Sequence, residues 1–463
     1  VKTSRPVTVG VLGHYGQLNL GDESITAATI SGIRRARPDS RVIAISLDPG
    51  DTAARHGVRS VALRRTVSRT PIEPPPAWLA SPAASDASRA ASPRRGVRGL
   101  ARRVRVLRRA YRGAATLPAR AAALFGELVA LRRAWGVLAD VDLVIVAGSN
   151  QLLDHFGGAW GFPYTLAKWS ALARLRGARV VVLSVGAGPL DGWVSRRLVL
   201  GTLRRAEYVS VRDPGSARLL REIGWPRPVP VMPDLAFALD PESTGTADGL
   251  AGLRPPQGGS LSVAVNLAPV HDPRYWPRAN PELRARYVSA MRGFLQRLLA
   301  HGHRVELFGT QPVDEWTAAE VVESLDPVSH GHGLVSHGHG LVSLAKVRSL
   351  DELGDVYRRA DVVLATRFHG ILLALRFGRP VLGVCYYRKS RELLSSFGLE
   401  RYAFDLPDVS APALGAGFDA LVAERDAVER AIHTGLAPRA GALAAQFDEV
   451  LRVSTAAPRA AGR

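Results

Sequence analysis

The 463-residue chain is 46% hydrophobic and 22% charged, with a net charge of +20. It is too long for one core and too apolar for a disordered chain, and no apolar run approaches the ~18–20 residues of a membrane span. The single cysteine, Cys385, excludes an internal disulfide and fits a reducing cytoplasm. Lys2, Lys168, Lys346 and Lys389 are the only lysines, so the positive charge is almost all arginine. It reads either as an anionic partner or as the coding bias of a GC-rich genome.

No secretory n-region and h-region opens the sequence. "VTVGVLGH" (7–14) predicts a strand, "DESITAATISGIRRA" (22–36) a helix and "RVIAISLD" (41–48) a second strand. Residues 66–93 are rich in Pro, Ala and Ser and read as a flexible loop. "RRGVRGLARRVRVLRRAYR" (94–112) follows, with Val97, Leu100, Val104, Leu107 and Tyr111 on one helical face. A basic amphipathic helix suits an anionic membrane surface, and equally a stripe packed on the body with solvated arginines. Scarce aromatics argue against nucleic acid.

Strands are expected at 142–149, 179–188, 208–213 and 229–234, with helices at 163–176, 194–205 and 215–223. A Pro/Gly-rich joint lies at about 240–259, and a second alternating series starts at "LSVAVNLAP" (261–269). It runs through helix 281–301, strand 304–311, helix 314–325, strand 361–368, helix 370–377 and strand 381–387. The tail shows helical patterns at 416–434 and 438–452. These patterns predict an α/β chain of two doubly wound, Rossmann-like domains facing across a cleft. The divisions are 1–240 with an insertion at 64–118, a linker at 241–260, a second domain at 261–415, and C-terminal helices with a disordered tail at 416–463.

"VSHGHGL" occurs twice in tandem within 328–343. H-x-H spacing can bind a metal, but no carboxylate or cysteine completes a site there, so no metal is expected. Ligands in doubly wound sheets bind beyond the strand carboxyl ends. "GHYGQLNLGDE" (13–23) is such a place, although its G-x-x-G spacing is neither a dinucleotide fingerprint nor a P-loop. Asn19 or Asp22 would cap the helix there, or face a polar ligand. Asn150 and Gln151 open the loop after strand 142–149. Asp213 with Pro214 reads as a helix start, which leaves Arg212 needing an acidic partner or an anionic ligand.

"ATRFHG" sets Arg367 and His369 two apart, so an extended backbone would send both the same way. With a helix N-terminus at Gly370 they would form an anion pocket. The other reading is an arginine paired to a structural aspartate and a histidine cap.

"GHYGQLNLGDES", "AGSNQLLD", "GAGP", "SVRDPGSARLLREIG", "VPVMPDLAFAL" and "ATRFHGILLALRFGRPVLGV", in that order, resemble the blocks of polysaccharide pyruvyl transferases over roughly 7–400. The resemblance implies a GT-B-like fold and transfer of pyruvyl from phosphoenolpyruvate (PEP) to sugar hydroxyls of a cell-surface polysaccharide or its lipid-linked precursor. A ketal forms and phosphate is released. It implies an acceptor side in 1–240 and a PEP side in 261–415, with PEP contacts at Arg212, Arg367, Phe368 and His369, and acceptor contacts at Asn19, Gly21, Asn150 and Gln151. His369 and Asp22 would be catalytic, with no cofactor, since PEP is a co-substrate. The expected location is cytoplasmic, at the inner membrane face if 94–112 binds lipid. The sequence departs from the family at Gly148, Ser149 and Asn150, where a glycine-rich run is usual. The alternatives are a GT-B glycosyltransferase using a nucleotide sugar and a non-catalytic glycan-binding relative.

Overall fold

A computed structural model describes residues 6–13, 15–64, 117–155, 157–245, 259–276, 279–325 and 342–453. The 66–93 loop, the 94–112 helix, most of the 241–260 linker and nearly all of the His-Gly repeat lie outside the described residues.

The first sheet holds β1 (Thr8–Leu12), β2 (Arg41–Ser46), β3 (Arg59–Ala62), β4 (Leu143–Ala147), β5 (Arg179–Val185) and β6 (Tyr208–Val211), in the order β3-β2-β1-β4-β5-β6. Its helices are α1 (Leu20–Ala36), α2 (Pro49–His56), α3 (Leu117–Val137), α4 (Phe162–Leu175), α5 (Trp193–Arg205) and α6 (Pro214–Glu222). The second sheet holds β7 (Ser262–Asn266), β8 (Arg304–Phe308), β9 (Val342–Ala345), β10 (Val362–Ala365), β11 (Val381–Cys385) and β12 (Ala403–Asp405), in the order β12-β11-β10-β7-β8-β9. Around it run α7 (Pro281–Ala300), α8 (Asp314–Glu323), α9 (Leu350–Arg359), α10 (Phe368–Arg376), α11 (Arg388–Ser395), α12 (Ala411–Ala423) and α13 (Arg425–Val453). All pairings between these strands are parallel. Central strands β1, β4, β7 and β10 are almost wholly buried, as runs of Val, Ile and Leu covered on both faces must be.

The order reverses between β1 and β4 in one sheet and between β7 and β10 in the other. Such switch points open crevices at the strand carboxyl ends. One apolar cluster joins Val9, Val11 and Ile145 of the first sheet to Val265, Val363 and Leu364 of the second, through Leu235, Phe237 and Phe447. The two sheets thus share a core.

Several expectations are corrected in detail. Helix α1 starts at Leu20 rather than residue 22, and α10 at Phe368 rather than Gly370. Residues 229–234 form no strand; one bridge, Val211 to Val231, stands there, and Asp234 caps a 3-10 turn at Leu235–Ala238. Helix α13 runs unbroken through Pro438. Buried Val428 and Ile432 hold it before the proline and buried Leu443 and Phe447 after, so packing overrides the lost hydrogen bond. Its far end returns to the first sheet, where Gln446 Oε1 accepts from Ser210 Oγ at 3.0 Å. Strand β9 and helix α9 went unpredicted because they adjoin the His-Gly repeat, although Ser349 and Glu352 form a capping box that the S-x-x-E spacing announces.

Candidate active site

The N-terminus of α1 meets the N-terminus of α10 across the cleft. Asn19 caps α1, its Oδ1 accepting from the Gly21 N–H at 3.2 Å, while its Nδ2 donates to Asp22 Oδ2 at 2.7 Å. Leu20 N donates to Thr310 O at 2.9 Å, tying α1 to the loop after β8. Gly21 lies directly against His369: a Cβ there would stand 2.3 Å from Nδ1. A side chain at residue 21 would therefore part the two helix ends.

Asp22 is buried beside Glu23, and loss of solvent raises its carboxyl to about 7 despite a hydrogen bond from the Ser149 side chain and the charge of Arg212. Ser149 and the preceding Gly148 both adopt left-handed φ, at +55° and +49°. That conformation explains a glycine-rich run in this loop. Ser149 bears a strain of roughly 1–2 kcal/mol there and supplies a hydroxyl to Asp22.

Arg212 follows β6 and donates through Nη1 to Asp234 Oδ2 at 2.7 Å, while its Nε is buried without a hydrogen-bond partner. The ring of Phe368 lies 5.1 Å from its guanidinium carbon. His369 Nε2, also buried without a hydrogen-bond partner, is 3.9 Å from Asp234 Oδ2. Burial lowers the imidazole to about 4, with Asp234 opposing and Arg212 assisting, so it is neutral near pH 7. Beside these groups opens a cavity of about 430 Å³, lined among others by Arg212, Asp234, Phe368, Lys389 and Arg439. Lys389 Nζ sits 3.1 Å from Asp213 Oδ2; burial and then Arg212 lower its pKa.

The expected residues do not all share this cavity. Arg367 is the N-cap of α10 and sends Nε and Nη2 to Asp314 Oδ1, at 2.9 and 2.6 Å. Burial opposes its charge, but Asp314, Tyr275 and Tyr386 more than offset this, and its pKa stays well above the usual arginine value. The expectation that Arg367 and His369 point the same way is corrected. Helical geometry sets in at Phe368, so successive side chains fan around the axis instead of alternating. Gln151 is fully buried, its Nε2 donating to Ala147 O and Gly148 O, and it braces its own loop. Asn150 lies nearer the cavity: its Oδ1 is buried without a hydrogen-bond partner close to Gly186, where Arg212 also approaches.

Sequence reasoning missed Asp234, Lys389 and the role of Ser149. Asp234 stood inside the "VMPDLAF" block, and Lys389 was one of four lysines in an arginine-rich chain. Either oddity could have singled it out.

A family profile described as polysaccharide pyruvyl transferase matches residues 19–387. The chain belongs to the polysaccharide pyruvyl transferase family. Membership makes it a transferase. No curated protein matches it. Among solved structures it is similar to a protein from Listeria monocytogenes named for UDP-N-acetylglucosamine 2-epimerase, at 11% identity and TM-score 0.56, covering 96% of each chain. A UDP-GlcNAc 2-epimerase from Neisseria meningitidis, bound to UDP-GlcNAc, matches at 10% identity and TM-score 0.53, covering 96% of this chain and 99% of that one. A glycosyltransferase from Rickettsia africae matches at 9% identity and TM-score 0.50, covering 97% and 100%. At such identities the likeness shows the fold alone, which is GT-B-like.

Proposed function

We propose that this pyruvyl transferase family member moves the pyruvyl group of PEP onto two hydroxyls of a sugar in a cell-surface polysaccharide or its lipid-linked precursor. The observation that carries the reading is the Arg212 guanidinium, whose Nε is buried and unmatched beside a cavity that also holds Lys389. A buried donor left unmatched costs about 1–3 kcal/mol, and an anionic oxygen would relieve it. Charge-assisted bonds from Arg212 and Lys389 suit a phosphate or carboxylate.

The chemistry then needs two proton movements. One proton reaches the PEP methylene, making C2 electrophilic, and each sugar hydroxyl gives up a proton as its oxygen attacks C2. Phosphate leaves with the proton left over, and C2 carries two C–O bonds to the sugar. Asp22, titrating near 7, is suited to take a hydroxyl proton. His369, linked to Arg212 through Asp234, would hold the enol-phosphate and carry a proton once an anion raises its pKa. Neither step calls on a cofactor.

The test is phosphate release from PEP against a panel of acceptor sugars, with mass spectrometry of the product. It is paired with thermal protection by PEP, UDP and GDP. Protection by PEP and a product heavier by one pyruvyl ketal are expected. Protection by UDP or GDP alone would overturn the reading in favour of a nucleotide-sugar glycosyltransferase.

A further inference from the structure

The loops after β7 and β11 flank the loop after β10, because these three strands are neighbours in the second sheet. Each brings a pair of aromatic residues to the strand ends: Tyr275 and Trp276 from the first, Tyr386 and Tyr387 from the second. The Tyr386 and Tyr387 rings are 4.4 Å apart, and Trp276 packs against both at 5.7 and 6.4 Å. The guanidinium of Arg367 lies 5.4 Å from the Tyr275 ring centre. Trp276 and Tyr386 are half-buried and brace the group, whereas Tyr387 is 55% exposed and Tyr275 37%. Two tyrosine rings are thus presented to solvent from a rigid backing, beside the first turn of α10.

We infer that this aromatic platform binds a neutral pyranose ring of the acceptor glycan, and that Arg367 belongs to the acceptor side of the cleft. The inference rests on the pyruvyl-transfer reading. Two observations carry it.

The first is charge. Both Nε and Nη2 of Arg367 are committed to one oxygen of Asp314, a carboxylate with no exposed side-chain surface. The pair presents polar edges with no net charge, which matches hydroxyl groups rather than a phosphate. Arg212 and Lys389 are also paired, to Asp234 and Asp213, but Arg212 keeps one donor, Nε, uncommitted.

The second is continuity with the donor cavity. Phe368 follows Arg367 and lies under Arg212, and Lys389 follows Tyr387 by two residues. The platform and the anion cavity therefore meet along the start of α10, and His369 belongs to the same turn. An aromatic face is electron-rich and attracts the weakly positive C–H face of a pyranose. Such a stack leaves the ring's hydroxyls free at its edge, and a ketal that bridges two hydroxyls needs them held in one orientation toward C2.

The probes are methyl glycosides of galactose, glucose, mannose and N-acetylglucosamine, used without PEP. Saturation-transfer NMR on the full chain should show contact with at least one, through its C–H face. The variant Tyr275→Ala/Tyr387→Ala should lose that contact by tenfold or more in Kd, and Tyr387→Trp should keep it. PEP protection in a thermal melt should be the same in all three proteins. Contact with none of the four glycosides, or contact that survives the double variant, overturns the platform. Absence of PEP protection in the wild-type chain would overturn the donor reading instead, so the two failures are distinct.

Discussion

The contact between Gly21 and His369 makes a sharp prediction. In Gly21→Ala the new Cβ would stand 2.3 Å from Nδ1, 2.5 Å from Cγ and 2.8 Å from Cβ of His369. Carbon contacts settle near about 3.5 Å, so ring and helix must separate by about 1 Å. The imidazole has no easy escape, since the Phe368 ring stands edge-on 5.2 Å away and Asp234 is beyond Nε2. A displacement of about 1 Å at a reacting group costs on the order of 100-fold in rate. Stability should change little. Overpacking costs about 1–3 kcal/mol, and alanine in place of glycine within a helix returns up to about 1 kcal/mol.

The assay is phosphate release at saturating PEP and acceptor, with a melt of each variant. Gly21→Ala should lose about two orders of magnitude in kcat with a Tm lower by only a few degrees. In a His369→Ala background the ring contacts go and only the 2.8 Å contact with the Cβ of residue 369 remains, so adding Gly21→Ala should cost less there than beside the histidine. Turnover at the wild-type rate in Gly21→Ala would show that the two helix ends need not touch, and the site as drawn would fall.

Three further outcomes follow from the charges. Asp22 titrates near 7 in the folded chain and near 3.8 when exposed, so the folded state binds the extra proton between those values and loses stability as pH rises from about 4 to 7. Asp22→Asn should therefore raise Tm at pH 8, by up to about 4 kcal/mol of stability, and hardly at pH 4, while kcat falls about 100-fold or more; equal Tm gains at both pH values would refute the burial argument. His369 is neutral down to about pH 4, and an anion at Nε2 favours its charged form. PEP binding at pH 6 should then take up more protons in the wild-type chain than in His369→Gln, read from how the calorimetric heat depends on the buffer; the PEP phosphate, with a second pKa of ~6, and the mostly protonated Asp22 contribute alike in both, so an equal proton count in the two proteins would count against His369. Lys389→Ala should weaken PEP binding by about 10- to 100-fold in Kd without moving acceptor KM, and an unchanged Kd would remove Lys389 from the donor cavity.

The two sheets were legible because their central strands are runs of buried Val, Ile and Leu set between amphipathic helices. The Asn19 cap was legible from residue type and position. Arg367 was not, because its direction depends on where α10 begins and on Asp314, which lies 53 residues away in sequence. Gln151 looked like a ligand by the same strand-end rule that found Arg212, yet local carbonyls hold it buried. Asp234 and Lys389 matter through pairings with Arg212 and Asp213, and such pairings are facts of the assembled cleft. Periodicity reports which face of an element is covered, but not which side chain waits across an interdomain gap.

The same packing gives the two nitrogens of His369 different surroundings. Nδ1 faces Gly21, where even one added carbon would stand 2.3 Å away. Nε2 faces Asp234, itself paired to Arg212, and it lies buried and unmatched behind that pair. Behind the imidazole, Gly370 packs against Asn266, where a Cβ would stand 2.7 Å from Oδ1. Gly21 thus lets α1 close on α10, and Gly370 lets α10 close on the end of β7. From Ile371 to Leu375 the helix is wholly buried, which fixes its first turn as a rigid mount. Three consecutive side chains leave that mount in three directions: Arg367 to Asp314, Phe368 beneath Arg212, and His369 to Gly21. One buried helix turn thus ties α8, the Arg212–Asp234 pair and the start of α1 to a single support, so a shift of any one of them is felt at His369.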